Sequence, residues 1–369
     1  MSVPSPTPPG RRRGRLLRFG AALVILFALA GYLVVQYVTG GGGAPGCKVV
    51  SGRTDGKAYE FTPEQAVNAA TIAAVGTGRG MPERAVTIAL ATALQESGLR
   101  NIEHGDRDSL GLFQQRPSQG WGTEKQIMDP AYAAGIFYEH LAKVPHYEYL
   151  PLTVAAQRVQ RSGFPEAYAK HEPDATLLSA ALTGEAAATL TCEGRQRAGT
   201  AAAAAGADVT RPGPDAVRAA LVRDFGRDAL QEAGAEVGKG AAGAEGEGAT
   251  PTPTPSLTAE ARGRTVTVPV PEGTKKDAEG RGELERGWQL AHWAVANSAA
   301  LQIRQVVYAG RVWSAGSTDS RWRPNGTAGS AGTGNGGAQE AAGPAGAGSD
   351  EAGSDEAGSV GAVRIVTGQ

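Results

Sequence analysis

The sequence predicts a mainly α-helical domain over residues 47–193, placed after a single N-terminal transmembrane helix and before a small α+β module. Three observations predict this order. An uncharged apolar run occupies Phe19–Val38, helix start signals recur between Cys47 and Cys192, and strand-like alternation is concentrated near the C-terminus. Glycine- and proline-rich tracts separate the three parts, as is typical of spacers and linkers.

The composition excludes several classes of function. The chain has 369 residues with 53 Gly and 22 Pro, many of them in a few tracts, so the folded part is shorter than the chain. A formal net charge of −1 gives no global basic field, which argues against a nucleic-acid partner. The 2 Cys lack a CxxC spacing and the 5 His are scattered, so we expect neither a metal site nor a cofactor.

The N-terminus predicts export. A cluster of basic residues precedes the apolar run: Arg11, Arg12, Arg13, Arg15 and Arg18. As a helix, Phe19–Val38 would span about 30 Å, the thickness of a bilayer core. The arginines should keep residues 1–18 in the cytoplasm and place the rest outside, in a single-pass cell-membrane protein. The alternative is secretion after cleavage of a signal peptide at Ala28–Ala30, although the apolar run continues past that point.

Export changes the interpretation of the two cysteines. Residues 39–46 are glycine-rich and predict a flexible spacer, and Cys47 and Cys192 bracket the segment that follows. In an oxidising compartment, a disulfide closing so long a loop would restrain the unfolded chain by roughly 4–5 kcal/mol in the entropic model. The alternative is two free thiols.

Helix start signals recur through residues 47–193. Thr62 can cap a helix with Pro63 in its first turn and Gln65 three residues later. The stretch MPERAVTIALATALQES is apolar on nearly every face, which is typical of a buried central helix. Asp129 precedes Pro130 in the same cap arrangement, and a further helix should start at Pro151.

The rest of the chain divides into a linker and a module. Residues 194–256 are of low complexity and predict a linker with a short helix in PDAVRAALVRDFGRDALQEAG. Residues 257–369 predict a strand, an amphipathic helix, a hairpin turning near Ala309–Gly310 and a last strand. Between them, about 325–359, a glycine-rich insert with a repeated GSDEA unit predicts disorder.

Glu96 is the residue whose position most needs explaining, because it closes an apolar helix. The negative end of the helix dipole and burial by Leu90, Ala93 and Leu94 would both raise its pKa, as a general acid near neutral pH requires. The alternative is a solvated Glu96 that pairs with Arg100 four residues later.

The loop that follows carries side chains suited to sugars. Gly111 would let the backbone approach a ligand closely. Gln114 and Gln115 offer amide donors and acceptors for hydroxyl and N-acetyl groups, and Phe113 and Trp121 offer flat apolar faces. The alternative is a turn-rich loop with ordinary core aromatics.

These residues together resemble a known superfamily. The motif order resembles that of soluble lytic transglycosylases and goose-type lysozymes: Glu96-Ser97 in QESGL, then Gly111 to Gln114 in GLFQQ, then Tyr168 in SGFPEAYAKH. The sequence of the second motif is more similar to exported actinobacterial variants. The resemblance covers about Phe61–Glu172. It implies a lysozyme-like fold, Glu96 as acid and base, and a cleft lined by Gln114 and Tyr168.

The resemblance also extends the expected substrate contacts and shows one departure. Ser97, Leu112 and Gln115 belong to the same motifs and are expected at the cleft. The superfamily's Asn-Ala-Gly before the tyrosine is replaced here by VQRSG, Val159–Gly163, where Gln160 can stand in for the asparagine.

The resemblance implies cleavage of peptidoglycan glycan strands, by one of two mechanisms. A hydrolase commonly needs a second carboxylate, for which Glu103, Asp106 and Asp108 are candidates. A lytic transglycosylase needs one carboxylate, and a single well-placed glutamate suits that mechanism better. Two non-enzymatic alternatives stay open: a non-catalytic wall-binding protein on the same fold, and a scaffold whose C-terminal module recruits a partner.

Overall fold

The structure is a computed structural model that describes residues 46–194, 213–227, 259–260, 263–270, 282–316, 321–325 and 361–368. The predicted basic tail, the transmembrane helix with its alternative cleavage site, and nearly all of the spacer lie outside the described residues. So do most of the predicted linker and nearly all of the insert. Among the described residues, no helix is both long and apolar enough to cross a membrane.

The predicted helical character of the first part is confirmed. Within residues 46–194 the α-helices are α1 (Pro63–Gly78), α2 (Glu83–Ser97), α3 (Glu124–Ile127), α4 (Pro130–Ala142), α5 (Leu152–Gln160) and α6 (Glu172–Thr183). Short 3₁₀ helices at Pro117–Gln119, Tyr147–Tyr149 and Pro165–His171 connect them.

The predicted helix caps form as expected. The Gln65 amide donates to the Thr62 hydroxyl at 3.3 Å, and the Thr62 amide donates to the Gln65 side chain at 2.8 Å. The Asp129 carboxylate accepts the Ala131 amide at 3.0 Å. Each bond satisfies an amide that the first turn of a helix leaves without a partner.

Helix α2 is the centre of the helical part, as its all-round apolar pattern predicts. Its residues from Ala85 to Leu94 are buried, and it packs against α1, α6 and the 3₁₀ helix Pro165–His171. Gly98 ends it with a φ of 63°, a left-handed conformation that a glycine adopts without steric cost. Glu96 therefore lies in the last turn of a rigid, buried helix.

A small antiparallel sheet joins the two ends of the helical part. Strands β1 (Cys47–Val50), β2 (Ala58–Phe61) and β3 (Leu190–Cys192) lie in the order β2-β1-β3. Cys47 and Cys192 are opposite each other in the β1–β3 ladder and form a disulfide, as predicted.

The C-terminal module is an antiparallel sheet with one helix packed on it. Its strands β4 (Ala259–Glu260), β5 (Thr265–Pro269), β6 (Ile303–Tyr308), β7 (Arg311–Ser314), β8 (Arg323–Pro324) and β9 (Ala362–Thr367) lie in the order β4-β5-β9-β6-β7-β8. The predicted hairpin turns at Ala309 and Gly310, both at positive φ.

Two further helices pack between this module and the helical part. Helix α7 (Pro214–Phe225) lies inside the segment predicted to be a linker, and helix α8 (Glu283–Ala296) belongs to the module. The buried side chains of α7 include Val217, Leu221 and Phe225, so this part of residues 194–256 belongs to the folded core.

Buried hydrogen bonds join the module to the helices. The Trp293 indole donates to Asp224 on α7 at 2.8 Å, and the His292 ring donates from Nδ1 to the Ala181 carbonyl at 2.7 Å. The Gln289 amide donates to the Thr77 hydroxyl at 2.6 Å. The described residues from 46 onward accordingly form one compact unit.

Candidate active site

Glu96 is held by a tyrosine, not by an arginine. The Tyr168 hydroxyl donates to Glu96 Oε1 at 2.7 Å. Burial raises the pKa of Glu96, and hydrogen bonds from Tyr168 and Gln160 partly oppose that rise. Arg100 donates instead to the Ser97 carbonyl at 3.4 Å, so the predicted alternative of a Glu96–Arg100 pair does not form.

Tyr168 is suited to this role because it stays protonated. It lies in the 3₁₀ helix Pro165–His171, with its ring buried. Burial and the neighbouring Glu96 charge both raise the pKa of its hydroxyl. The hydroxyl therefore remains a hydrogen-bond donor to the carboxylate at neutral pH.

Glu96 opens into a cleft of about 800 Å³ between α2, the loop that follows it, and the ends of α4 and α5. Five of the predicted site residues line the cleft: Glu96, Gln114, Gln115, Trp121 and Gln160. A cleft of this size fits within the range of small-ligand sites.

Gln160 connects the cleft wall to the loop after α2. Its amide donates to the Phe113 carbonyl at 2.7 Å while its side chain also bonds Glu96. Gln160 thus links the acid to the loop after α2.

Two other predicted substrate contacts, Ser97 and Gly111, lie against other parts of the protein. The buried Ser97 hydroxyl lies 2.8 Å from the Leu112 carbonyl, which ties the loop to the helix end. Gly111 has a φ of 74°, and an added Cβ would lie 2.8 Å from the Ile127 carbonyl oxygen. The close approach of the Ile127 backbone therefore requires this glycine.

Phe113 and Leu112 are core residues, which corrects their prediction as cleft residues. Both side chains are fully buried, and the Phe113 ring stacks on Phe137 with centroids 4.7 Å apart. The exposed apolar ring in the cleft is instead Phe164, whose side chain is 78 % exposed. The sequence does not show which of the two rings, Phe113 or Phe164, is exposed in the cleft, since both phenylalanines lie near glycines and polar residues.

The two glutamines of the loop differ in their surroundings. Gln114 sits at a φ of 48° and donates to the Gly111 carbonyl at 3.2 Å. Gln115 is almost fully buried and donates to the Ala133 carbonyl at 3.0 Å, while its Oε1 has no partner among the described residues. Gln114 is the more accessible of the two.

Trp121 is partly exposed and stacks on a histidine that the sequence analysis did not single out as a site residue. The ring centroids of Trp121 and His140 are 4.3 Å apart at an interplanar angle of 23°. Burial, then the charge of Lys143, lowers the pKa of His140, with a smaller contribution from Arg161. His140 is consequently neutral at physiological pH.

The candidates for a second carboxylate differ sharply. Asp108 accepts Arg116 Nε at 2.7 Å and the Ser118 amide at 2.9 Å. Hydrogen bonds from the Ser118 side chain, the Ser118 amide and Arg116 hold the pKa of Asp108 well below the usual range. Asp106 lines the cleft on a loop with its side chain 95 % exposed. Glu103 is exposed and outside the cleft lining.

Cationic side chains that sequence reasoning missed line much of the remaining wall: Arg107, Arg116, Lys143, Arg158 and Arg161. Their signal in the sequence was weak, because scattered basic residues on helix ends are usually solvated. Among the described residues no group of His, Cys, Asp and Glu side chains could hold a metal ion.

Similarity to known proteins concerns the module and not the cleft. Residues 253–335 match a family model described as VldE, C-terminal domain. The matched range is less than half of the chain and includes α8 and strands β4 to β8. None of the curated proteins compared with the chain matches it.

Proposed function

We propose that the protein is an enzyme that cleaves the glycan strands of peptidoglycan, with a lysozyme-like fold in residues 47–193 and Glu96 as its acid and base. The observation that carries this proposal is the half-buried Glu96, bonded to Tyr168 at 2.7 Å and open to a cleft of about 800 Å³. Burial raises the pKa of Glu96 and so favours the protonated form that proton donation to a glycosidic oxygen requires.

The proposed reaction is that of a lytic transglycosylase. Glu96 gives its proton to the glycosidic oxygen as the bond from that oxygen to C1 of the muramic residue breaks. The C6 hydroxyl oxygen of the same residue then bonds to C1, and the Glu96 carboxylate takes the hydroxyl proton. The products are a 1,6-anhydro end and a free hydroxyl, no water is consumed, and Glu96 returns to its protonated form.

The state of the other carboxylates supports a one-carboxylate mechanism. Asp108 is fixed by Arg116 and by the Ser118 amide, so it is not free to act as a nucleophile or to hold a water. Asp106 is highly exposed, and nothing in the described residues aims it at the position of a sugar. A hydrolase of the usual kind would need one of these groups to be positioned.

The proposed location is the outer face of the cell membrane. The arginines before Phe19–Val38 support a single-pass anchor with a cytoplasmic N-terminus, and the Cys47–Cys192 disulfide supports an oxidising compartment. Protease added to intact protoplasts should then remove everything after about Thr39. Full protection of the chain would contradict export, and a shed protein starting after Ala30 would support secretion instead.

Digestion of sacculi tests the enzymatic proposal. We expect the full-length protein to release fragments with 1,6-anhydro ends, seen by mass spectrometry, and Glu96→Gln to reduce the rate ~10²–10⁴-fold, since glutamine cannot donate the proton. Glu64→Gln, at an exposed glutamate on α1, is the matched control and should keep the wild-type rate.

Each alternative gives its own outcome in this experiment. Retained cleavage by Glu96→Gln would contradict the role of Glu96. Reducing ends in place of anhydro ends would indicate a hydrolase and make Asp106→Asn the next variant. Binding of sacculi without any cleavage by the wild-type protein would favour a non-catalytic wall-binding protein.

A further inference from the structure

One wall of the cleft carries a positive charge that a neutral glycan would not use. Lys143 follows the end of α4, and Arg158 and Arg161 lie at the end of α5; all three are exposed and line the cleft. None of the three has an ion-pair partner among the described residues. Arg116 differs from them, because Asp108 neutralises it at 2.7 Å.

Helix dipoles do not account for these charges. Cations at helix C-termini are stabilised by the partial negative charge there, of about half an elementary charge per helix. Two helix ends meet at this wall, and they carry three full positive charges. The positive charge that the helix dipoles do not neutralise faces the cleft. The acidic side chains of the cleft lining are Glu96 and the exposed Asp106.

The cations surround a flat aromatic surface. The partly exposed Trp121 stacks on His140 at 4.3 Å, and the charges of both Lys143 and Arg161 act on the His140 ring. The charge of Glu139 opposes them there, but Glu139 is paired with Arg79 at 3.2 Å. Both cations are therefore close to this stack. An aromatic face beside positive charges favours a ring-shaped ligand that carries an anion.

We infer that the Trp121–His140 stack with Lys143 and Arg161 forms a subsite for a sugar ring that carries a carboxylate. This inference rests on the proposed function and narrows its substrate. The enzyme prefers glycan strands in which the carboxylate of the lactyl group is free to strands in which that carboxyl group is an amide. Arg158, on the last turn of α5, adds to the same field.

A pair of ligands that differ in one charge tests the subsite. Calorimetry on the full-length protein compares an N-acetylated disaccharide with one free lactyl carboxylate against the same disaccharide with that carboxyl converted to a primary amide. We expect the carboxylate form to bind about two- to fivefold more tightly, as for an exposed charge pair. The preference should shrink as ionic strength rises.

Variants locate the preference at the subsite. Lys143→Gln with Arg161→Asn should abolish the preference; asparagine is chosen because Arg161 has a φ of 52°, which asparagine tolerates. Lys125→Gln, an exposed lysine in α3 outside the cleft lining, is the matched control and should keep the preference. Circular dichroism is used to check that the double variant is folded.

The outcomes separate this inference from the proposed function. Equal affinity for the two disaccharides, no binding of the carboxylate form, or a preference that survives in the double variant overturns the subsite. A carboxylate preference in a protein that cleaves no glycan would leave the subsite standing and reject the enzymatic proposal alone. Cleavage without any carboxylate preference would support the enzymatic proposal and reject the subsite.

Discussion

At the scale of single residues, Glu96 combines two opposing influences. Burial at the end of α2 disfavours its charged form, and the Tyr168 hydroxyl at 2.7 Å favours it. The balance leaves the pKa raised but keeps the carboxylate available. A group that must first give and then take a proton needs both forms to be accessible.

Removing the tyrosine hydroxyl should shift this balance. We expect Tyr168→Phe to raise the pKa of Glu96 further, because the bond that stabilises the carboxylate is lost. Carbon-detected NMR titration of the Glu96 carboxyl measures the change directly. If the protein is active, the alkaline limb of its pH–rate profile should move to higher pH as well.

Tyr149→Phe supplies the control for this titration, because Tyr149 is 84 % exposed and lies outside the cleft lining. It should leave the Glu96 titration unchanged. An unshifted Glu96 pKa in Tyr168→Phe would show that the hydrogen bond at 2.7 Å has little influence on the acid.

Glu96 should also reduce the stability of the fold at neutral pH. Its pKa is higher in the folded state than in the unfolded chain, so stability falls as pH rises through the interval between the two values. Glu96→Gln removes this cost. We expect its thermal midpoint to exceed that of the wild-type protein, and the difference to grow from acidic to neutral pH.

The opposite result has a clear meaning. A midpoint that falls at every pH would show that Glu96 contributes more through its hydrogen bonds than it costs by burial. In that case, the far-UV circular dichroism spectrum at the assay temperature shows whether a loss of activity in this variant is due to unfolding. Functional residues that reduce stability are a common compromise in enzymes.

The sequence predicted the acid but not all of its neighbours. Glu96 stood out because a charged residue in an apolar helix conflicts with local rules, and such conflicts often mark function. Phe113 and Phe164 could not be ranked, since exposure depends on tertiary packing. The cations of the cleft wall come from different helix ends, and their proximity follows from how those helices pack.

At the scale of elements, the two ends of α2 carry acids with raised pKa values. Glu83, in its first turn, accepts the Ser179 hydroxyl at 3.1 Å. Burial first, and then the neighbouring Glu185, raises the pKa of Glu83 to about 7, with Glu285 of α8 adding to the rise. The start of α2 is therefore where the helical part and the module bring carboxylates together.

Stability should accordingly fall between pH 5 and 7 because of Glu83. Its ordinary pKa is near 4.5, so the folded protein holds a proton there that the unfolded chain releases, and the stabilisation is lost as pH rises. We expect Glu83→Gln to raise the thermal midpoint at neutral pH more than at acidic pH. Glu64→Gln, on exposed α1 surface, should show no such pH dependence.

An equal effect of Glu83→Gln at both pH values would contradict this assignment, since a neutral Glu83 differs little from glutamine. A double variant with Glu185→Gln refines the result. If the two carboxylates share one proton, the second substitution should add little to the first.

Elements with local signals were predicted well, and elements defined by distant contacts were not. The caps at Thr62 and Asp129 depend on residues two or three positions away, so the sequence shows them directly. Strand β3 has three residues and forms because Cys192 pairs with Cys47. Helix α7 was predicted as a short helix, but its place in the core was not, because that depends on distant contacts such as the bond between Asp224 and Trp293.

At the scale of the whole molecule, the disulfide links the start and the end of the helical part. Thiol labelling of the denatured, unreduced protein should modify neither Cys47 nor Cys192, and labelling after reduction should modify both. Reduction should lower stability by roughly 2–5 kcal/mol, as for other long-loop disulfides. Labelling of both residues without reductant would contradict the bridge.

The order of strands in the module has a consequence for how the chain can be made. Strand β9 follows every other strand of the sheet in the chain, yet it lies between β5 and β6 at the middle of the order. Until the ribosome has released Ala362–Thr367 and the segment has emerged, β5 and β6 each expose an edge that could pair with another chain. The module can therefore complete its fold only after β9 has emerged from the ribosome. A nascent chain stalled just before β9 should be open to proteases across residues 282–316.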